Sequence, residues 1–323
     1  MTSPTQVATP PTRASRTVLF WASVVCAAAL LLVPAFMLSG NPAVLAGHPL
    51  LPALLLAAAV AGLAWATVLW RRRAGFRKRS TARAVGVWLG RLAVLALVAA
   101  LAWLNPFAYQ PRDAASAGPA SDFSITETPT TITMAPDGAA ATKGLIFYPG
   151  ARVDARAYQD ILAPVVDAGS LVVILKSPLG LSLLDGNQAS GAIEANPSVT
   201  TWAVGGHSLG GVSASSFAGD NSDISGLVLY ASYPLGSLRE REGLAVLSLS
   251  GINDGLSTPD KVEASRDLLP GDATFTAVQG GVHAFFGDYG PQPGDGTPGT
   301  SREDAQQQIS KATVAFMGAL AAP

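Results

Sequence analysis

The run Gly206-His207-Ser208-Leu209-Gly210-Gly211 carries the densest chemistry in this sequence. A serine with glycine two positions away on each side has the G-x-S-x-G spacing of a nucleophile on a sharp strand-to-helix turn. Such a serine sits in a strained backbone conformation, so Gly206 and Gly210 must leave room around it. The preceding Thr201–Gly205 reads as a strand and the following Leu209–Ala218 as a helix, the context this turn requires. That helix would aim its N-terminal amides at the reacting centre and favour negative charge there. Without strand and helix, the same residues would be an ordinary glycine-rich turn.

A serine hydroxyl is a weak nucleophile until a base takes its proton. The chain has 3 histidines. His48 falls in an apolar region, and His207 is expected to turn its side chain away from its neighbour Ser208. Elimination leaves His283, in the loop Gly280-Gly281-Val282-His283. The base needs an acid that fixes its tautomer and stabilises the imidazolium. Asp254, in Ser250-Gly251-Ile252-Asn253-Asp254-Gly255, is the first choice, and Asp288 stays open as the alternative. Asp260 reads as a charge at a helix N-terminus. A tetrahedral intermediate also needs two N–H donors. Leu209 follows the nucleophile directly, and Ala151 ends the turn Tyr148-Pro149-Gly150-Ala151.

Short apolar runs that alternate with helical patterns would position these groups. Strands are expected at 144–148, 171–175, 201–205, 226–230, 245–249 and 273–278, with helices near 155–167, 209–218, 259–269 and 302–320. A small antiparallel hairpin around Pro129 precedes them. The alternation predicts an α/β fold, a doubly wound and mostly parallel sheet covered on both faces.

The first 107 residues differ. Apolar stretches at about 17–38 and 49–70 carry no charge and have the length needed to cross a bilayer. A third, at about 84–107, contains Arg91, which would cost about 2.5–3.5 kcal/mol at mid-bilayer. Its position near the basic end predicts that its stem runs back to the headgroups; a role in an intramembrane site is the alternative. Arg71–Arg83 holds 7 basic residues and no acid, and the loop 39–48 holds no acid, lysine or arginine. The basic loop is therefore expected in the cytoplasm, and the part after Phe107 outside it in the cell membrane. Span one could also be a signal peptide with a poor cleavage site at Val44-Leu45-Ala46, which leaves this placement unchanged. Residues 108–120 read as a flexible linker and 121–323 as the second domain.

The turn YPGA, the elbow GGHSLGG, the loop GINDG and the loop GGVHAFFGDYG together resemble the α/β-hydrolase superfamily, particularly its small dienelactone-hydrolase-like branch. The order Ser208, Asp254, His283 is the one that resemblance implies for nucleophile, acid and base, within an α/β-hydrolase fold. Dienelactone hydrolases use a cysteine where this chain has serine, which argues against dienelactones as substrates. The resemblance begins at about Gly144 and omits the membrane region.

The expected activity is cleavage of a carboxylic ester, in a small molecule or on a surface. The short connection between Tyr230 and Ala245 leaves no room for an inserted lid, so an open, shallow site is expected. The apolar loop Pro178–Leu184 could shade it from one side. An acyltransferase with the same triad, a silent ligand-binding or signalling domain and a transport component are the competing readings; the last lacks paired charges in its spans. No cofactor or metal is implied, since the one cysteine, Cys26, lies in an apolar run. The net charge of −1 gives nucleic-acid binding no support. Membrane lipid is the partner expected of the spans.

Overall fold

The computed structural model describes residues 13–71, 81–111, 123–138 and 140–321. They form two compact units.

Helices α1 (Arg13–Gly40), α2 (Ala43–Ala46), α3 (Leu50–Arg71) and α4 (Thr81–Trp103) open the chain. Stretches long and apolar enough to cross a membrane run over Thr17–Gly40, Leu50–Arg71 and Val85–Trp103. Alanine and leucine dominate them; both favour helix, which satisfies its own backbone groups where water is absent. Gly62 lets α3 approach α1 closely, because a Cβ there would lie 2.9 Å from the Leu30 Cβ.

Two expectations for this region change. The third stretch stops at Trp103 rather than Phe107, since Pro106 disfavours helix in the residue before it. Arg91 does not run out to solvent. Its guanidinium donates to the Val87 carbonyl at 2.8 Å, the Leu19 carbonyl at 3.3 Å and the Ser23 hydroxyl at 2.5 Å. Acceptors within reach near the start of α1 satisfy the cation more cheaply than a stretched side chain would. Residues 72–80 of the basic loop lie outside the described residues.

The second unit combines Pro42–Leu51 with the chain from Pro106 onward. Among the described residues its sheet has 8 strands in the order β1-β2-β4-β3-β5-β6-β7-β8. These are β1 (Phe123–Glu127), β2 (Thr131–Pro136), β3 (Lys143–Tyr148), β4 (Leu171–Leu175), β5 (Thr201–His207), β6 (Ile224–Tyr230), β7 (Ala245–Gly251) and β8 (Thr274–Val278). The hairpin β1–β2 joins β4 in antiparallel fashion and every other pairing is parallel.

Alternate residues of each strand feed two cores. Leu145, Phe147, Val172, Ile174 and Val228 pack on one face with α5 (Gln159–Asp167), α9 (Arg302–Ala319) and their Ile161, Val165 and Ile309. Ile146, Val173, Val204 and Leu227 face α6 (Gln188–Glu194) and α7 (Leu209–Asp220) through Ala189, Ala214 and Phe217. The helix expected over 259–269 is α8 (Pro259–Ala264) followed by a 3-10 turn. The sheet is thus mostly parallel and doubly covered.

Of the expected linker, residues 112–120 lie outside the described residues. Its beginning is docked rather than free. The Phe107 amide donates to the Arg152 carbonyl at 2.7 Å, and the Gln110 amide to the Asp288 carbonyl at 2.8 Å.

Candidate active site

β5 delivers Ser208 at the carboxyl edge of the sheet and α7 starts at the next residue. Ser208 has φ 53° and ψ −121°, a conformation that costs a non-glycine residue about 1–3 kcal/mol. The surroundings leave it no alternative. A Cβ on Gly206 would collide with the Gly210 carbonyl, and one on Gly210 with the Tyr148 carbonyl. The Ser232 hydroxyl ties the turn down by donating to the Ser208 carbonyl at 2.6 Å. Arg152, Leu179 and Ala231 are the other described non-glycine residues with positive φ, in the loops after β3, β4 and β6. Strain is therefore gathered on the edge that carries Ser208.

His283 lies beyond β8 in the loop entering a 3-10 turn. Its Nδ1 is 2.8 Å from the Asp254 Oδ2, and both side chains are buried. The other oxygen of Asp254 accepts from the amides of Leu256 and Ser257, each at 2.8 Å. With every such bond a donation to the carboxylate, the proton of the neutral imidazole belongs on Nδ1. His283 Nε2 then keeps a free lone pair, and this buried atom has no hydrogen-bond partner. A buried ring nitrogen so arranged is what a general base needs. Asp288 serves elsewhere: its Oδ1 accepts from Gln306 at 3.1 Å and pairs with Arg302 at 3.2 Å. The structure thus brings Asp254 to His283 and holds Asp288 with α9.

His207 is not idle. Its ring centroid lies 4.6 Å from that of His283. Its Nδ1 is 2.9 Å from the Tyr158 hydroxyl, which accepts from the Gly150 amide at 2.9 Å. The tyrosine oxygen thus links the Gly150 amide to the His207 ring. Burial, and then the neighbouring His283, push the His207 imidazole well below its ordinary range, so it stays neutral. The Gly150 amide is consumed by this chain of bonds, which leaves Ala151 as the next donor in the turn. Leu209, as the first residue of α7, has an amide without an intrahelical acceptor.

Sequence reasoning missed one carboxylate. Asp295 Oδ1 accepts from the amides of His283 at 3.0 Å, Gly255 at 3.2 Å and Gly296 at 2.7 Å. Its Oδ2 accepts from the Ala284 amide at 2.8 Å. One side chain thus clamps the histidine loop to the Asp254 loop.

The loops after β3 and β4 meet Pro42–Leu51 around a small cleft of about 40 Å³. Val44, His48, Arg152, Lys176 and Ser177 line it. His48, set aside as a residue of the apolar region, belongs with the sheet's carboxyl edge. No inserted helix occupies the β6–β7 connection. Among the described residues no cluster of His, Cys, Asp and Glu could hold a metal.

A model of the alpha/beta hydrolase family matches residues 144–308, half of the chain. The chain belongs to this family. It is similar, at 17% identity and a TM-score of 0.46, to a dienelactone hydrolase-like promiscuous phosphotriesterase from metagenomic libraries. That likeness covers 59% of this chain and 92% of the other. No curated protein matches. The hydrolase family accounts for β3 through the first turns of α9; the apolar helices and the hairpin β1–β2 lie outside the matched residues.

Proposed function

We propose that this hydrolase is a membrane-anchored serine esterase that cleaves carboxylic esters through an acyl-enzyme at Ser208. The carrying observation is the His283–Asp254 pair at 2.8 Å, which leaves His283 Nε2 buried and unpartnered, together with the strained strand-to-helix turn at Ser208. In this reading Nε2 takes the Ser208 proton as Oγ attacks the carbonyl carbon. Asp254 holds Nδ1–H and stabilises the imidazolium. The amides of Ala151 and Leu209 receive the oxyanion. Collapse expels the alcohol, which takes the proton from His283. Water, deprotonated by the same nitrogen, then releases the acid and restores the serine.

The anchor is α1, α3 and α4. Three crossings put residues 41–49 and everything after Trp103 on one side of the bilayer. This agrees with the membership of Pro42–Leu51 and the chain from Pro106 in one compact unit. The positive-inside rule makes that side extracytoplasmic.

A fluorophosphonate probe tests the chemistry: it is expected to label the wild type and not Ser208→Ala. Equal labelling of the two, or none of either, removes the serine mechanism.

A further inference from the structure

Apolar side chains are exposed in the hydrolase unit almost solely at the edge that carries Ser208. Of the 7 large hydrophobic residues exposed among its described residues, the exception is Ile125, on the edge strand β1. Leu183 and Leu184, each 57% exposed, follow β4. Leu235, at 75%, follows β6 and Ile252, at 43%, follows β7. Leu45 and Leu50 lie on Pro42–Leu51, the segment that packs against the loops after β3 and β4.

The loops after β4, β6 and β7 are tied to the site. Ser182, beside Leu183, donates to the Leu209 carbonyl at 3.4 Å. Ser232, three residues before Leu235, holds the Ser208 carbonyl. Ile252 stands two residues before Asp254. A water-soluble domain seldom gathers its exposed aliphatic groups so, because each adds about 1.5–3 kcal/mol of unrealised burial. The gathering has a use if the edge meets an apolar phase.

We infer that this rim is an interfacial surface, which seats the Ser208 edge on a lipid layer and takes long-chain esters from it. The inference rests on the esterase reading and adds the substrate class. A bilayer is the chosen occupant because the segment bearing Leu45 and Leu50 is bounded in the chain by α1 and α3, both long and apolar enough to span one. The rim therefore cannot be far, along the chain, from the lipid that its own helices occupy.

The test uses the full chain in phosphatidylcholine vesicles. Turnover of vesicle-borne p-nitrophenyl palmitate is compared with that of water-soluble p-nitrophenyl acetate. In Leu183→Ser/Leu184→Ser/Leu235→Ser the ratio of palmitate to acetate turnover is expected to fall at least tenfold. An unchanged ratio overturns the inference, as does a loss explained by a change in oligomeric state. A second readout needs no catalysis. In a Ser208→Ala, Cys26→Ser background, a fluorophore on Leu235→Cys should be quenched by spin-labelled lipid, while one on Ile125→Cys should not. Equal quenching sinks the rim. Quenching confined to Leu235, in a protein that cleaves neither ester, sinks the esterase reading and leaves the rim standing.

Discussion

The two units bury polar groups and expose apolar ones by opposite rules. In the helical unit, exposed hydrophobics such as Trp21, Leu32, Phe36, Leu63 and Trp88 are spread over all three long helices. The one buried cation among its described residues, Arg91, borrows a hydroxyl and backbone carbonyls for its acceptors. In the hydrolase unit the exposed aliphatics, Ile125 apart, sit at one edge, and the buried carboxylates of Asp254 and Asp288 meet dedicated partners. On the membrane-anchored reading, the difference lies in the solvent. A chain surrounded by lipid needs no apolar interior but must satisfy each polar group internally. A chain surrounded by water can afford buried charge only where donors are aimed at it. Polar changes in the hydrolase unit should therefore be expensive, and the helical unit should forgive its own.

The largest effect is expected at Asp254. Asp254→Asn keeps the side chain's shape but offers His283 a donor or the wrong tautomer. Turnover should drop about 10⁴-fold with the fold intact. Asp288→Asn should instead cost stability, about 1–3 kcal/mol, by breaking its hold on Arg302 and Gln306. Steady-state rates and thermal melts on both variants separate the two carboxylates; a rate collapse in Asp288→Asn alone would exchange their roles.

Asp295→Asn comes next. An amide in place of the carboxylate sets an NH2 against one of the four N–H groups that now converge on it. The His283 and Asp254 loops should loosen together, and small displacements at a reacting centre cost up to about 100-fold. The expected signature is a kcat lowered about 10- to 100-fold with KM for a small ester nearly constant. A change in KM alone would make Asp295 part of the binding surface instead.

How far the sequence discloses these features depends on how local their cause is. The elbow is legible because strand, glycines and helix are contiguous, and the clashes awaiting a Cβ at Gly206 and Gly210 arise within that stretch or against the next strand's turn. The strands are legible because parallel strands buried on both faces appear as short apolar runs. Asp295 is hidden because Pro291-Gln292-Pro293-Gly294-Asp295-Gly296 looks like turn material, and its partners are brought in by folding. The docking of Pro42–Leu51 and of Phe107–Gln110 is hidden for the same reason. Short apolar or polar runs say nothing of which distant loop they meet. Arg91 shows the opposite failure: a general rule for cations in helices yielded to Ser23 and Leu19, two acceptors no pattern marks.

His207 makes the comparison measurable through pH. Its folded pKa lies well below 6.5, whereas in the unfolded chain it is about 6.5. Below pH 6.5 the unfolded chain therefore binds a proton that the folded one refuses. Stability should be full above that pH and fall as pH drops, by up to about 1.4 kcal/mol per pH unit. His207→Gln should remove this part of the slope. Denaturant midpoints of wild type and variant at pH 7.5 and pH 5 give the difference, and parallel slopes would refute it.

The smallest effect is expected in the helical unit, from Arg91→Leu. Removing the guanidinium strands none of its known acceptors. The Ser23 hydroxyl still donates to the Leu19 carbonyl at 2.8 Å, and the carbonyls of Leu19 and Val87 remain within their own helices. The variant also loses the cost of holding a cation beside lipid, against interhelical bonds that average about 0.6 kcal/mol in such settings. The two nearly cancel, so the unfolding free energy in detergent should shift by less than about 1 kcal/mol, with ester turnover unchanged. A loss as large as that expected of Asp288→Asn would mean that the helices depend on a buried charge as the hydrolase does, and the contrast between the two units would fail at that point.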